Sequence, residues 1–442
     1  MKNFEKFGIA VPEILLPKKI ETETWAVVAC DQYTQDREYW TQAEKNCAEK
    51  NSTLNLILPE AYLNDANKSE RIAKIKSTMK EYLRGGVFAE PQRQMVYVER
   101  TTSYGRTRKG LVVALDLDCY EWKPFSNALV RATEATILER IPPRMEIRRN
   151  APLETPHIML LANDARHILI ESLGEKIKSR SETPIYSGNL MQQGGSIKGW
   201  AVKGESDLDF VNAALEKLYG ECTDEKGTFL FAVGDGNHSL ATAKSVWEEH
   251  KKNLLQSGAS EEEIAKSPVR YALLEIVNLY DEGLTFEPIH RAIFNADANA
   301  MIEFLQKNLD GEKKEIANAE SLERCVKNST ANFGFAFMEN GEKKFVMLET
   351  QIKDLAVSHL QPALDEFLKS RNEASIDYIH GAQEIFALVE KKSAVGILLP
   401  PVAKASFFKT ICERGPLPRK SFSMGEASEK RFYLECRKLF EE

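Results

Sequence analysis

The chain has 442 residues, 43% of them hydrophobic and 28% charged, which excludes fibrous, collagenous and disordered classes and allows roughly two to three domains around a sizeable core. Its 59 Lys and Arg against 66 Asp and Glu leave a net charge of −7, which argues against a nucleic-acid-coating protein. No apolar run approaches the ~20 residues that span a bilayer. Residues 1–12 lack the apolar core of a signal peptide, so a cytoplasmic protein without a membrane partner is expected. The seven cysteines are scattered and form no CxxC pair, the pattern of reduced, mostly buried thiols. Of these, Cys30 beside Asp31 is the one worth inspecting.

In chain order, Trp25–Cys30 reads as a buried strand ending at the polar Asp31-Gln32-Tyr33. Asp31 is either a site carboxylate at a strand end or the N-cap of the next helix. Residues 35–48 and 68–84 read as helices, and Gly85-Gly86 stops the second. Met95–Arg100 and Gly110–Asp116 read as strands joined by a polar hairpin. Its Arg106, Arg108 and Lys109 read as a solvated tip, with an anion-facing lid as the alternative. Ser206 opens a helix carrying Leu208, Val211, Leu215 and Leu218 at helical spacing. Thr228–Val233 is a strand, residues 234–239 a tight turn, and a helix starts near 239. Tyr271–Val277 is another strand. In the last third, Met301–Leu309 and Leu355–Lys369 are helices. Phe333, Phe335 and Phe337 alternate on a strand that turns at Asn340-Gly341 into Phe345–Leu348. Ala394–Leu399 is an apolar strand. The expected division is an N-terminal α+β lobe over 1–125, a central α/β domain over 126–292 and a C-terminal α+β lobe over 293–442.

The segment that carries chemistry is the strand–turn–helix at 228–247. A strand that passes through Gly234-Asp235-Gly236 straight into a helix presents unpaired backbone N–H groups and the positive end of the helix dipole. Glycine lets an anion approach closely, so phosphate fits there. Asp235 and His238 add a carboxylate and an imidazole, able to serve as metal ligand, base or phosphate donor. The plain alternative is a structural connector. The segment is neither a Walker loop nor a dinucleotide-binding GxGxxG.

Gly234-Asp-Gly-Asn-His-Ser-Leu-Ala-Thr-Ala243 resembles the Ala-Asp-Gly-His-His-Arg signature of a bacterial and archaeal family, domain of unknown function ten-fifteen. Gly110-Leu-Val-Val with Tyr120 and Glu134-Ala-Thr136, Gly283-Leu with Pro288-Ile-His-Arg291, and Lys420-Ser421-Phe422 resemble three further blocks of that family, in order. The turn is also similar to the phosphate-binding turn of the ParB, sulfiredoxin and free-serine kinase group. The resemblance implies a mixed α/β, ParB/sulfiredoxin-like nucleotide-binding core. It implies ATP or ADP as co-substrate, Mg²⁺, and phosphoryl transfer to a small, serine-like hydroxyl compound. In that reading Asp235 holds Mg²⁺ or acts as base, His238 is catalytic and helps hold the phosphates, and Glu134 takes the hydroxyl proton, a structural salt bridge with Arg131 or Arg144 being the alternative for Glu134. Gly234, Gly236, Asn237, Ser239, His290, Arg291 and Lys420 hold the nucleotide phosphates. The alternatives are a non-catalytic nucleotide-binding regulatory protein and a phosphohydrolase using the same site.

Three positions depart from the pattern. Thr133 and Asn237 stand where the family has His, and Ser239 where it has Arg, a loss of one bidentate phosphate clamp. Lys244, Arg291 and Lys420 are the available replacements, and Arg291 is favoured because its guanidinium engages two oxygens at once. The remaining histidines, His157, His167, His250, His359 and His380, show no ligand spacing and read as structural or surface residues.

Overall fold

The computed structural model describes residues 4–392 and 394–440. They divide into two compact units, one formed by residues 1–284 with 425–442 and the other by 285–424. The fold is mixed α/β, as the sequence predicts.

The first unit is built on a ten-stranded mixed sheet. Its strands are β1 (Ile9–Ala10), β2 (Met95–Thr101), β3 (Thr107–Asp116), β4 (Tyr120–Glu121), β5 (Val130–Ala132), β6 (Met159–Ala162), β7 (Tyr186–Asn189), β8 (Ser196–Val202), β9 (Phe231–Asp235) and β10 (Tyr271–Asn278). Their spatial order is β7-β8-β2-β3-β10-β6-β9-β5-β4, with β1 beside β3. The pairs β6–β10, β5–β9 and β4–β5 are parallel and the others antiparallel. Successive residues of a strand enter different cores, as the pleat requires. Met95, Tyr97, Leu111 and Val113 pack with helices Ile170–Ser179, Glu205–Glu221 and Asn237–Gln256. Val96, Val98 and Val112 pack on the opposite face with Trp25, Trp40, Ile72, Ile75 and Met79. With both faces covered, the central strands carry near-continuous apolar runs instead of alternation.

The second unit holds a six-stranded antiparallel sheet in the order 312–315, 342–349, 333–339, 395–398, 290–294, 375–379. Asn340 and Gly341 both take positive φ, 52° and 82°, the backbone that a two-residue hairpin turn demands.

Several expectations are corrected. Trp25–Cys30 is not one strand: Thr22–Trp25 is a helical turn and only Val27–Val28 forms a strand, pairing with Phe432–Tyr433. The N-cap after it is Asp36, whose Oδ1 accepts from Tyr39 N at 3.0 Å, so Asp31 is not the cap. The helix opened near Ser206 is capped by Gly204. The hairpin arginines are not a solvated tip. Arg106 Nη2 donates to Glu429 Oε1 at 2.7 Å, and Arg108, 3% exposed, donates to the Glu429 carbonyl at 2.9 Å. No break falls at residue 125, because β4 and β5 on either side of it pair in one sheet. Residues 425–442 belong with the first unit and not with the C-terminal lobe.

Candidate functional site

β9 ends at Asp235 and a helix starts at Asn237, two residues earlier than the sequence suggests. Gly236 makes this possible: its φ of 78° is left-handed, and a Cβ there would meet Ile158 Cγ1 at 3.0 Å. The register between β6 and β9 slips by one residue beside the turn, with Met159 opposite Asp235 and Leu160 opposite Val233. This bulge leaves Gly234 without a partner on β6. The turn thus lies at the carboxyl ends of the parallel pair β5 and β9, the edge where open α/β sheets bind ligands.

Each turn residue is held individually. Asp235 Oδ1 accepts from Gly236 N at 3.1 Å. Its Oδ2 is buried, has no hydrogen-bond partner among the described residues, and lies 3.5 Å from Lys430 Nζ. Asn237 is locked to the end of β5, its Oδ1 accepting from Thr133 N and its Nδ2 donating to Thr133 Oγ1, both at 3.3 Å. This cross-link joins the turn to the end of β5. It brings Glu134, half-buried, to the same edge.

His238 Nε2 accepts from Ile137 N at 3.2 Å, which places the ring proton on Nδ1. Burial, then the charges of Arg140 and Arg144, push its pKa down to about 4. The ring is therefore neutral at pH 7. The unfolded imidazole takes up a proton near pH 6.5 while the folded one resists until about 4, so this contribution to stability is complete above pH 6.5 and lost as the pH falls toward 4. Urea unfolding at pH 7 and pH 5 should show a loss of about 1–2 kcal/mol from this half-buried group, with a shallower decline in His238→Asn.

Ser239 Oγ lies 3.0 Å from His157 Nε2, and His157 Nδ1 lies 2.8 Å from the Tyr433 hydroxyl. That hydroxyl accepts from Cys30 N at 3.2 Å. Next to this chain, burial opposes ionisation of Asp31, but the neighbouring His157, the hydrogen bond from Gln32 and Lys430 hold its carboxyl below the usual range. Burial pushes the Cys30 thiol up, so it is no thiolate nucleophile. His157, Lys430 and Tyr433 were missed by sequence reasoning. Their partners lie 82 residues away for His157–Ser239 and 276 for His157–Tyr433, and no local pattern connects them.

Of the cations considered as replacements for the family arginine, Lys244 is buried on the turn's own helix. Its Nζ donates to the Leu117 carbonyl at 2.9 Å and lies 3.8 Å from Asp118. In the second unit, Arg291 is fully buried, its Nε donating to Gln361 Oε1 at 3.0 Å and its guanidinium stacked on Tyr378. His290 is buried beside it. Its Nδ1 accepts from Leu399 N at 3.1 Å, and burial and Arg291 lower its pKa to about 4. Lys420 is exposed, with a positive φ of 57°. Among the described residues no group of three or more His, Cys, Asp and Glu is arranged to hold a metal ion, and no helix is long and apolar enough to cross a membrane.

Beside the turn a cavity of about 140 Å³ opens in the first unit. Ser239, His157 and Tyr433 are among its polar lining residues, and Leu58, Met79 and Leu273 among its apolar ones.

A mixed α/β protein with a strand–turn–helix at the carboxyl ends of parallel strands is the class that the fold defines. Residues 14–367 match the model of the family described as protein of unknown function DUF1015, and the chain belongs to that family. Comparison with curated proteins gave no match. Among solved structures, the chain is similar to a conserved hypothetical protein from Pyrococcus furiosus, with 14% identity, a TM-score of 0.36, and coverage of 74% of this chain and 97% of that one. It is similar to a free serine kinase in complex with AMP at 12% identity and a TM-score of 0.37, covering 74% and 92%. It is also similar to SbnI from Staphylococcus aureus at 8% identity and a TM-score of 0.36, covering 71% and 83%.

Proposed function

We propose that this chain is a nucleotide-dependent phosphotransferase that moves a phosphoryl group from ATP or ADP to a small hydroxyl compound. The observation that carries the reading is Asp235. Its Oδ2 is buried without a hydrogen-bond partner among the described residues, directly before the free amides of a helix N-terminus. Burying a carboxylate oxygen with no hydrogen bond and only the Lys430 ammonium 3.5 Å away is costly, and a site poised for a ligand is where such a cost is retained.

In this reading, the ParB/sulfiredoxin-like turn from Gly234 to Ser239 receives the phosphates through its backbone amides. Lys430 and Arg140 supply positive charge beside the turn, where Ser239 carries none. Neutral His238 donates from Nδ1. Asp235 is a fitting Mg²⁺ ligand, since that ion is commonly held by one or two carboxylates together with substrate phosphates. When bound, Mg²⁺ neutralises charge between phosphate oxygens. Glu134, next to Thr133 at the turn, and His157 are the candidate bases for the acceptor. His157 is favoured for the acceptor's proton, because Tyr433 fixes its ring while Nε2 faces Ser239. His290, Arg291 and Lys420 lie in the second unit and carry no step of this reading.

The test is incubation with ATP or ADP, Mg²⁺ and a panel of hydroxyl compounds, followed by phosphorus NMR. A phosphorylated acceptor supports the reading. Free phosphate without one makes the protein a phosphohydrolase, and binding without turnover makes it a nucleotide-binding regulator. His157→Gln is expected to lower turnover at least 100-fold, and Glu134→Gln by less. The reverse order would move the base to Glu134.

A further inference from the structure

We infer that the cavity beside the turn is the acceptor subsite and that it takes a neutral alcohol with an apolar body about the size of benzene, not a zwitterion such as serine. The inference rests on the phosphotransferase reading and names its substrate class.

Size comes first. The cavity measures about 140 Å³, close to the ~150 Å³ apolar cavity known to bind benzene. Its chemistry is divided. Leu58, Met79 and Leu273 contribute to an apolar body that water fills poorly. Ser239 Oγ and His157 Nε2, 3.0 Å apart in the lining, are a pair able to meet a hydroxyl.

Charge decides against an amino acid. The charged side chains in the lining are two carboxylates and two guanidinium groups, and they are committed to one another. Arg144 Nε donates to Glu60 Oε1 at 3.0 Å, and Arg148 Nη2 to Glu154 Oε2 at 2.6 Å. Glu154 also accepts from Arg437 Nε at 2.7 Å and from Leu273 N at 3.0 Å. An ammonium and a carboxylate entering this space would give up hydration for partners already engaged, a large cost. Arg148 Nε, buried without an acceptor, is a single donor and does not balance an ammonium.

In the reaction so assigned, the alcohol oxygen forms a bond to the terminal phosphorus of the nucleotide. The bond from that phosphorus to its bridging oxygen breaks, and the electron pair leaves with the shortened nucleotide. The alcohol proton passes to His157 Nε2.

Benzyl alcohol, benzene and L-serine are the probes, each titrated into the full-chain protein by calorimetry, with ATP titrated separately. Saturable binding of benzyl alcohol and benzene, with serine at least 10-fold weaker, is expected. Ser239→Ala should weaken benzyl alcohol about fivefold, the worth of one hydrogen bond, and leave benzene unchanged. Leu273→Phe should reduce binding of both, with circular dichroism confirming the fold. Should that variant not fold, the Ser239→Ala comparison still decides. Serine binding as well as benzyl alcohol, or no binding of either apolar probe, overturns the subsite. If the alcohol binds but ATP does not, the cavity stands and the phosphotransferase reading falls. If ATP binds and no apolar probe does, the subsite alone falls.

Discussion

Arg431→Met is expected to destabilise the protein by about 3–5 kcal/mol, the usual cost of leaving buried charges without their partner. Arg431 is 2% exposed. Its Nη1 pairs with Glu275 and its Nη2 donates to Glu435 Oε2 at 2.7 Å, while its Nε donates to the Pro156 carbonyl at 3.2 Å. Glu275 and Glu435 are each 1% exposed, and Arg108 Nε lies 3.7 Å from Glu275. Removing the guanidinium strands two carboxylates in the core next to the segment that delivers Lys430 and Tyr433 to the site. Urea denaturation at pH 7 measures the change. A loss under about 1 kcal/mol, typical of an exposed pair, would show that the network is solvated in solution. Pairing the change with Glu275→Gln should recover part of the loss, because one stranded charge is removed with its partner.

Asp235→Asn is expected to lower phosphotransferase turnover at least 100-fold while shifting unfolding stability by less than about 1 kcal/mol. The two effects separate because Asp235 does little for the fold. Its one ion pair is 3.5 Å long, and the amide oxygen of Asn can still accept from Gly236 N. What Asn cannot supply is the negative charge at Oδ2, needed to hold a metal ion or orient a reacting group. Initial rates and a thermal melt on the same preparation check both halves. An Asp235→Asn protein with full activity would reduce the turn to a connector. One that fails to fold would make Asp235 a structural residue whose buried oxygen has another cause.

Local order was legible in this chain wherever one segment contains its own reasons. The 68–84 helix lies where its apolar spacing and Gly85 place it. The 333–349 hairpin turns at Asn340-Gly341, because those residues tolerate positive φ. The strand–turn–helix at 231–256 follows from an apolar run, Gly236 and an alanine-rich stretch. Errors arose where a distant partner decided the outcome. Val27–Val28 is extended because Phe432–Tyr433 pairs with it. Arg106 and Arg108 are drawn inward by Glu429, more than 300 residues away.

The site divides in the same way. The sequence by itself determined the strand–turn–helix that carries Asp235 and His238, since it depends on neighbours in the chain. Only the tertiary structure decided that Asp31, His157, Lys430 and Tyr433 meet there, that Lys244 is committed to the Leu117 carbonyl, and that an apolar cavity adjoins Ser239. The physical reason is that periods of 2 and 3.6 residues encode which face of an element is buried. They carry no information about which other element covers that face, so convergence of remote segments is set by sheet order and register.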